Sequence, residues 1–128
     1  MFKVDIIREK KLNIYSSFYS EDYGYKFFFK SILHHVISLE IYENQSLDGI
    51  SFEAICSNIP KSIGSRSSIQ SILNEALEKS IFSKQQSNKD KRIKNYFLTD
   101  HFFVIINNWL SKEESFFTKL NVNTYKKD

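Results

Sequence analysis

The sequence has few of the residues on which several common protein classes depend. Its 128 residues include one Cys, one Pro and three Gly. A single cysteine, Cys56, excludes an intrachain disulfide and a cysteine zinc framework, and it favours a reducing, cytoplasmic setting. The scarcity of Pro and Gly argues against an all-β fold with many tight turns. Long helices are therefore the expected architecture.

Long apolar runs are also absent. The longest, Phe102–Ile106, is far shorter than the roughly 20 residues that a membrane-spanning helix needs. The N-terminal stretch MFKVDIIREKKL carries charges inside its apolar part, which is not typical of a signal peptide. We therefore expect a cytoplasmic protein without a membrane anchor.

The composition that remains is that of an ordinary globular domain with an uneven charge. Apolar residues make up 41% of the chain, and 12 Phe and 7 Tyr predict an aromatic core. The net charge is only +3, but residues 61–98 carry eight basic and three acidic side chains. The whole positive surplus therefore lies in one segment, which is typical of a surface that binds nucleic acid or another polyanion.

Apolar periodicity divides the first half of the chain into helices. Residues 1–20 show no clear period and are interpreted as an N-terminal arm or first helix. From Glu21 to about Glu43, apolar residues recur at helical spacing and predict one helix. The stretch ENQSLDG ends it with turn-forming residues. Ser51 can then cap a short helix, which Pro60 and Gly64 close.

The clearest helix of the sequence runs from Ser65 to Ser80. Ser65 is a good N-cap. The helix has one apolar stripe, formed by Ile69, Ile72, Leu73, Ala76 and Leu77. Its opposite face holds small hydrogen-bonding side chains where surface helices usually carry Glu/Lys pairs. This face comprises Ser67, Ser71, Asn74 and Glu78, with Gln70 on its flank.

A basic hairpin and a further helix follow. IFSKQQ and RIKNYFL predict two strands joined by the polar turn SNKDK, and Thr99 is expected to cap the last helix. The fold class is therefore mainly α with a small β-hairpin: a winged helix-turn-helix with flanking N- and C-terminal helices. We expect the winged domain and its flanking helices to span residues 21–120, with a tail at 121–128.

Two motifs resemble the MarR family of winged-helix transcriptional regulators. SRSSIQSILNEALEKSIF is similar to that family's recognition helix running into the first wing strand. DKRIKNYFLT fits the wing signature Asp-x-Arg followed, after five residues, by Leu-Thr, at Asp90, Arg92, Leu98 and Thr99. The chain departs from the family in having Ser71 where an Arg is often found and in its short C-terminal region.

The resemblance implies a sequence-specific double-stranded DNA-binding regulator that acts as a homodimer, with or without an unidentified small-molecule effector. Helix 65–80 would read the major groove, using Arg66, Ser67, Ser68, Gln70, Ser71 and Asn74. The hairpin segment Lys84–Lys94, called the wing below, would meet the minor groove and backbone. Its contacts would be made by Lys89, Lys91, Arg92 and Lys94, with Asp90 steadying Arg92.

Other interpretations stay open at this stage. A winged-helix protein–protein module without DNA binding would also fit the modest net charge, and the basic hairpin could instead bind RNA.

His34 and His35 point about 100° apart on a helix and cannot readily share a metal, so we expect structural roles, no metal and no cofactor. Cys56 lies on an apolar face, which favours an inert thiol over a redox sensor. We find no nucleophile–base pair and do not expect an enzyme.

Overall fold

The computed structural model describes residues 2–18 and 21–125, which form helices around a small antiparallel sheet. The elements follow one another in the order that the sequence predicts, with one added helix break and one added strand. They are α1 (Val4–Phe18), α2 (Tyr23–Phe28), α3 (Ile32–Glu43), β1 (Ile50–Ser51), α4 (Phe52–Asn58), α5 (Arg66–Glu78), β2 (Phe82–Gln86), β3 (Lys94–Leu98) and α6 (Asp100–Tyr125).

The prediction of a single helix from Glu21 to Glu43 is wrong, because the helix is interrupted between α2 and α3. Asp22 caps α2 by accepting a hydrogen bond from the Gly24 amide at 2.8 Å. Ser31 then caps α3, its hydroxyl accepting from the His34 amide at 3.1 Å. A serine that bonds the backbone in this way starts a new helix, although the apolar period continues across the break.

The sheet has the order β1–β3–β2, with both pairs antiparallel. Phe82 pairs with Leu98 at one end of the hairpin and Gln86 with Lys94 at the other. The second hairpin strand therefore begins two residues later than the predicted Arg92. The two-residue strand β1, in which Ile50 pairs with Tyr96, was not predicted, because so short a strand has no periodic signal.

An aromatic core joins α2, the sheet and α6. Phe27, Phe82 and Phe102 meet edge to face, with ring centroids between 5.5 and 5.9 Å apart, which is a favourable geometry for aromatic pairs. The apolar stripe of α5 packs onto the same core through Ile69, Leu73 and Ala76, all of them buried. This packing turns the polar side of α5 to solvent.

Thr99 lies directly before the long helix α6 and anchors its start. The Thr99 hydroxyl donates to the carbonyl oxygen of Ile81 at 3.0 Å, and the Thr99 amide donates to the same oxygen at 3.1 Å. α6 continues past residue 120 to Tyr125, so it overlaps the predicted tail, whose last three residues lie outside the described residues. None of the helices described is long and apolar enough to cross a membrane.

Candidate nucleic-acid interface

The polar side chains of α5 are held at the surface by a well-formed N-terminus. The Ser65 hydroxyl accepts from the Ser68 amide at 3.1 Å and lies 3.0 Å from the Ser68 hydroxyl. Ser67, Ser71 and Asn74 are exposed on the outward side. Backbone amide groups at a helix N-terminus can bind phosphate. Together with the side-chain hydroxyls and carboxamides they form a hydrogen-bonding surface made of uncharged groups.

Gln70 and Asn74 act as a pair on this surface. They are one helical turn apart, and Gln70 Nε2 donates to Asn74 Oδ1 at 3.0 Å. The bond orients both amides before any ligand arrives. Carboxamides of this kind can bond bidentately to adenine in the major groove.

Arg66 is engaged inside the helix-turn-helix. Its guanidinium forms a two-contact ion pair with the Glu53 carboxylate of α4, one contact being 2.9 Å and the other joining Nη2 to Oε1. It also lies over the Phe52 ring, 4.7 Å from the centroid. The hydrogen bond from Arg66 lowers the pKa of Glu53. To contact a phosphate or guanine, Arg66 would have to break its ion pair with Glu53.

Cys56 lies in the same part of the helix-turn-helix. Its thiol is half-buried against the core, and burial raises its pKa, which keeps it protonated and weakly nucleophilic. A cavity of about 360 Å³ next to it is lined by Glu53, Arg66 and Gly64 among others.

The wing carries its cations on the outside of the hairpin. Lys89, Lys91 and Lys94 are exposed, and the Arg92 side chain is 89% exposed. Asp90 accepts from the Arg92 amide at 3.0 Å and from its guanidinium at 3.0 and 3.1 Å. Hydrogen bonds from Arg92 lower the pKa of Asp90. The Asp-x-Arg motif thus forms a local pair in which the arginine remains accessible.

The inner side of α5 is tied to α2 and α3 by Glu75. Its carboxylate accepts from the Tyr23 hydroxyl at 2.8 Å and from Lys30 Nζ at 3.2 Å, and it lies 3.3 Å from His34 Nε2. Burial is the largest influence and raises the pKa of Glu75, but the three hydrogen bonds together lower it. Sequence reasoning missed this cluster, which fixes the rotation of α5 about its axis.

The two adjacent histidines have separate partners, in agreement with their divergent directions on a helix. His34 is buried; its Nδ1 lies 2.6 Å from the Ser31 hydroxyl. Burial is the main cause that lowers the pKa of His34. His35 Nδ1 lies 3.0 Å from the Phe28 carbonyl oxygen. Among the described residues no cluster of three or more His, Cys, Asp or Glu is placed to hold a metal ion.

A second cavity lies away from α5 and the wing, where α1, α3 and α6 meet. Its volume is about 330 Å³, and it is lined by Phe29, His35, Trp109 and the Lys10–Glu113 ion pair among others. The size falls within the range of small-molecule sites. An effector stays a prediction, and nothing in the sequence pattern had indicated this pocket.

Comparison with known proteins identifies the fold. No family model and no curated protein matches the chain, but solved structures do. MepR from S. aureus bound to ethidium bromide has a TM-score of 0.59 at 15% identity, over 96% of this chain and 83% of MepR. The S. aureus MepR–DNA complex has a TM-score of 0.54 at 18% identity, over 94% and 90%. A ZitR variant from Lactococcus lactis in apo form has a TM-score of 0.54 at 13% identity, over 98% and 83%.

These neighbours are MarR-family regulators, and the chain has their fold. The predicted winged helix-turn-helix with flanking terminal helices is therefore confirmed. At such low identity the likeness extends to the fold and not to individual residues.

Proposed function

We propose that this protein is a sequence-specific double-stranded DNA-binding transcriptional regulator, with α5 in the major groove and the wing along the flanking minor groove. The observation that carries the proposal is a division of chemistry on the surface. α5 presents neutral hydrogen-bonding side chains such as Asn74, whereas the cations are concentrated in the wing. Neutral amides suit base edges, and cations suit phosphates. A neighbour of the same fold has been solved with DNA.

The inward contacts of α5 support this function. Glu75 and the buried stripe hold the helix from behind, so its outward side chains keep their positions when a partner is absent. A preorganised surface binds without first ordering itself, which lowers the entropic cost of association. Binding alone performs this function, so a catalytic site is not part of the proposal.

A homodimer would place two recognition helices on one duplex. α1 exposes several apolar side chains, including Ile7, Leu12 and Tyr15, and exposed apolar side chains can be buried by a second copy of the chain. A symmetric pair of chains would read half-sites about 34–36 Å apart. We expect light scattering at micromolar concentration to give twice the 15.2 kDa chain mass; the mass of one chain would contradict the dimer.

The test of function is duplex binding by fluorescence anisotropy on a pool of genomic fragments at two salt concentrations. Wild type should select particular fragments. Asn74→Ala should change which fragments are preferred, because a bidentate base contact contributes about 1–3 kcal/mol of discrimination. Asn108→Ala, the same change at an exposed position of α6, is the matched control and should leave the selection unchanged. Absence of duplex binding at low salt would overturn the proposal.

The engagement of Arg66 by Glu53 favours one second candidate, a winged-helix module that binds a protein partner. With Arg66 paired and Ser71 short, α5 offers no free cation within its first two turns. Salt separates the two functions: duplex affinity falls steeply with salt, whereas a largely apolar protein contact responds little. Preference for single-stranded RNA over duplex DNA would instead indicate RNA binding.

A further inference from the structure

The turn of the wing is built around a buried serine. Ser87 is only 6% exposed, although it lies at the end of a surface hairpin. Its hydroxyl donates to Asp48 Oδ2 at 2.5 Å and accepts from the amides of Lys89 and Asp90 at 3.1 and 3.3 Å. The hydroxyl therefore uses its one proton and both acceptor positions. The backbone beside the wing cations is fixed at this point.

Asp48 reaches the wing from a distant part of the chain, the loop between α3 and β1. Besides Ser87, its carboxylate accepts from the Asn88 amide at 3.1 Å. Its own carbonyl oxygen accepts from Asn95 Nδ2 of β3 at 2.6 Å. The hydrogen bond from Ser87, followed by that from Asn88, lowers the pKa of Asp48. The loop thus contacts the wing at its turn and β3 at Asn95.

The loop that carries Asp48 is itself anchored to β3. Gly49 has a φ of 69°, a left-handed conformation that glycine adopts without steric cost. A Cβ at Gly49 would lie 2.7 Å from the Phe97 ring and from the Tyr96 carbonyl oxygen. The next residue, Ile50, pairs with Tyr96. This close approach gives Asp48 a rigid support.

We infer that Asp48 is a positioning residue that sets the wing turn. In the free protein Lys89, Lys91 and Arg92 are therefore already held in the arrangement in which they contact the DNA backbone. The inference rests on the proposed function and adds a residue that does not itself touch DNA. An aspartate beside a polyanion site would ordinarily repel it. Here the carboxylate is turned onto two donors of the wing, and its charge orders the turn.

The experiment compares Asp48→Asn, Ser87→Ala and wild type as full chains. In Asp48→Asn one carboxylate oxygen becomes an NH2 donor, so the side chain can accept from the Ser87 hydroxyl or from the Asn88 amide but not from both. Glu43→Gln, the same charge change at an exposed residue of α3, is the control. Three quantities are measured: the rate of tryptic cleavage within residues 84–94, duplex affinity with its salt dependence, and the thermal midpoint, which verifies folding.

We expect both variants to be cleaved in the wing about tenfold faster than wild type, because a local opening becomes more frequent when charge-assisted hydrogen bonds are lost. Duplex affinity should fall about tenfold on all fragments, with the preferred fragments unchanged. The Glu43→Gln control should be cleaved and should bind as wild type does.

Wild-type cleavage rates in both variants would overturn the inference that Asp48 orders the wing turn. Faster cleavage with unchanged duplex affinity would overturn its role in DNA binding. If wild type itself binds no duplex, the proposed function fails, and the cleavage rates still decide whether Asp48 orders the turn.

Discussion

Replacing Lys89, Lys91, Arg92 and Lys94 together by alanine should weaken duplex binding about a thousandfold at 0.1 M salt. All four side chains are exposed around the ordered turn. Each phosphate that a cation neutralises releases condensed counterions, with a slope of about 0.9 in log affinity against log salt. Four such contacts should raise the duplex affinity at this salt concentration by between three and four orders of magnitude relative to its value at 1 M.

The same variant should bind with a salt dependence shallower by about three to four units of slope, while its sequence preference is kept. Among single changes, Arg92→Ala should have the largest effect, because it also removes the guanidinium that neutralises the Asp90 carboxylate. Lys112→Ala removes an exposed cation from α6 and should change affinity less than twofold. An unaltered salt slope in the fourfold variant would show that the wing does not contact phosphates.

Replacing Phe28 by alanine should lower the free energy of unfolding by about 3–5 kcal/mol, since large-to-small changes in a packed core lose both transfer energy and cavity contacts. Phe28 is 0% exposed and lies where α2, α3 and α6 meet. Its ring centroid is 5.1 Å from that of Trp109 and 4.2 Å from that of His35. A chain of this size should lose about 10–20 °C in melting temperature.

The change is measured by urea and thermal unfolding at one fixed protein concentration, because dimerisation would make the midpoint depend on concentration. Leu47→Ala truncates an apolar side chain that is 73% exposed and should change stability by no more than about 0.5 kcal/mol. A loss below about 1 kcal/mol for Phe28→Ala would mean that this aromatic junction is not packed in solution.

Features that depend on neighbouring residues were predicted well. The Ser65 cap, the apolar stripe of α5 and the hairpin all follow from spacings of one to four residues, over which a helix or turn forms its own contacts. The error at Phe29–Ser31 has the opposite origin. The apolar period continues across the break because both helices pack on one core, while the Ser31 cap divides them.

The candidate site was predicted in its chemistry but not in its internal contacts. The sequence placed neutral donors on α5 and cations in the wing, and all of them are exposed except Gln70, which is half-buried. It did not predict that Glu53 would engage Arg66, 13 residues away. Nor did it predict the Glu75 cluster, whose partner Tyr23 lies 52 residues away. Such separations follow no period, so pattern reasoning cannot find them.

By itself, the sequence determined which faces are apolar, where the helices of the helix-turn-helix begin and where the positive charge lies, because these properties depend on residue type and local spacing. Only the tertiary structure decided which charged side chains form ion pairs within the chain and which stay accessible to a partner. It paired Asp48 with Ser87 across 39 residues and joined β1 to β3. These contacts form because packing brings together groups that are far apart in the sequence and follow no local spacing.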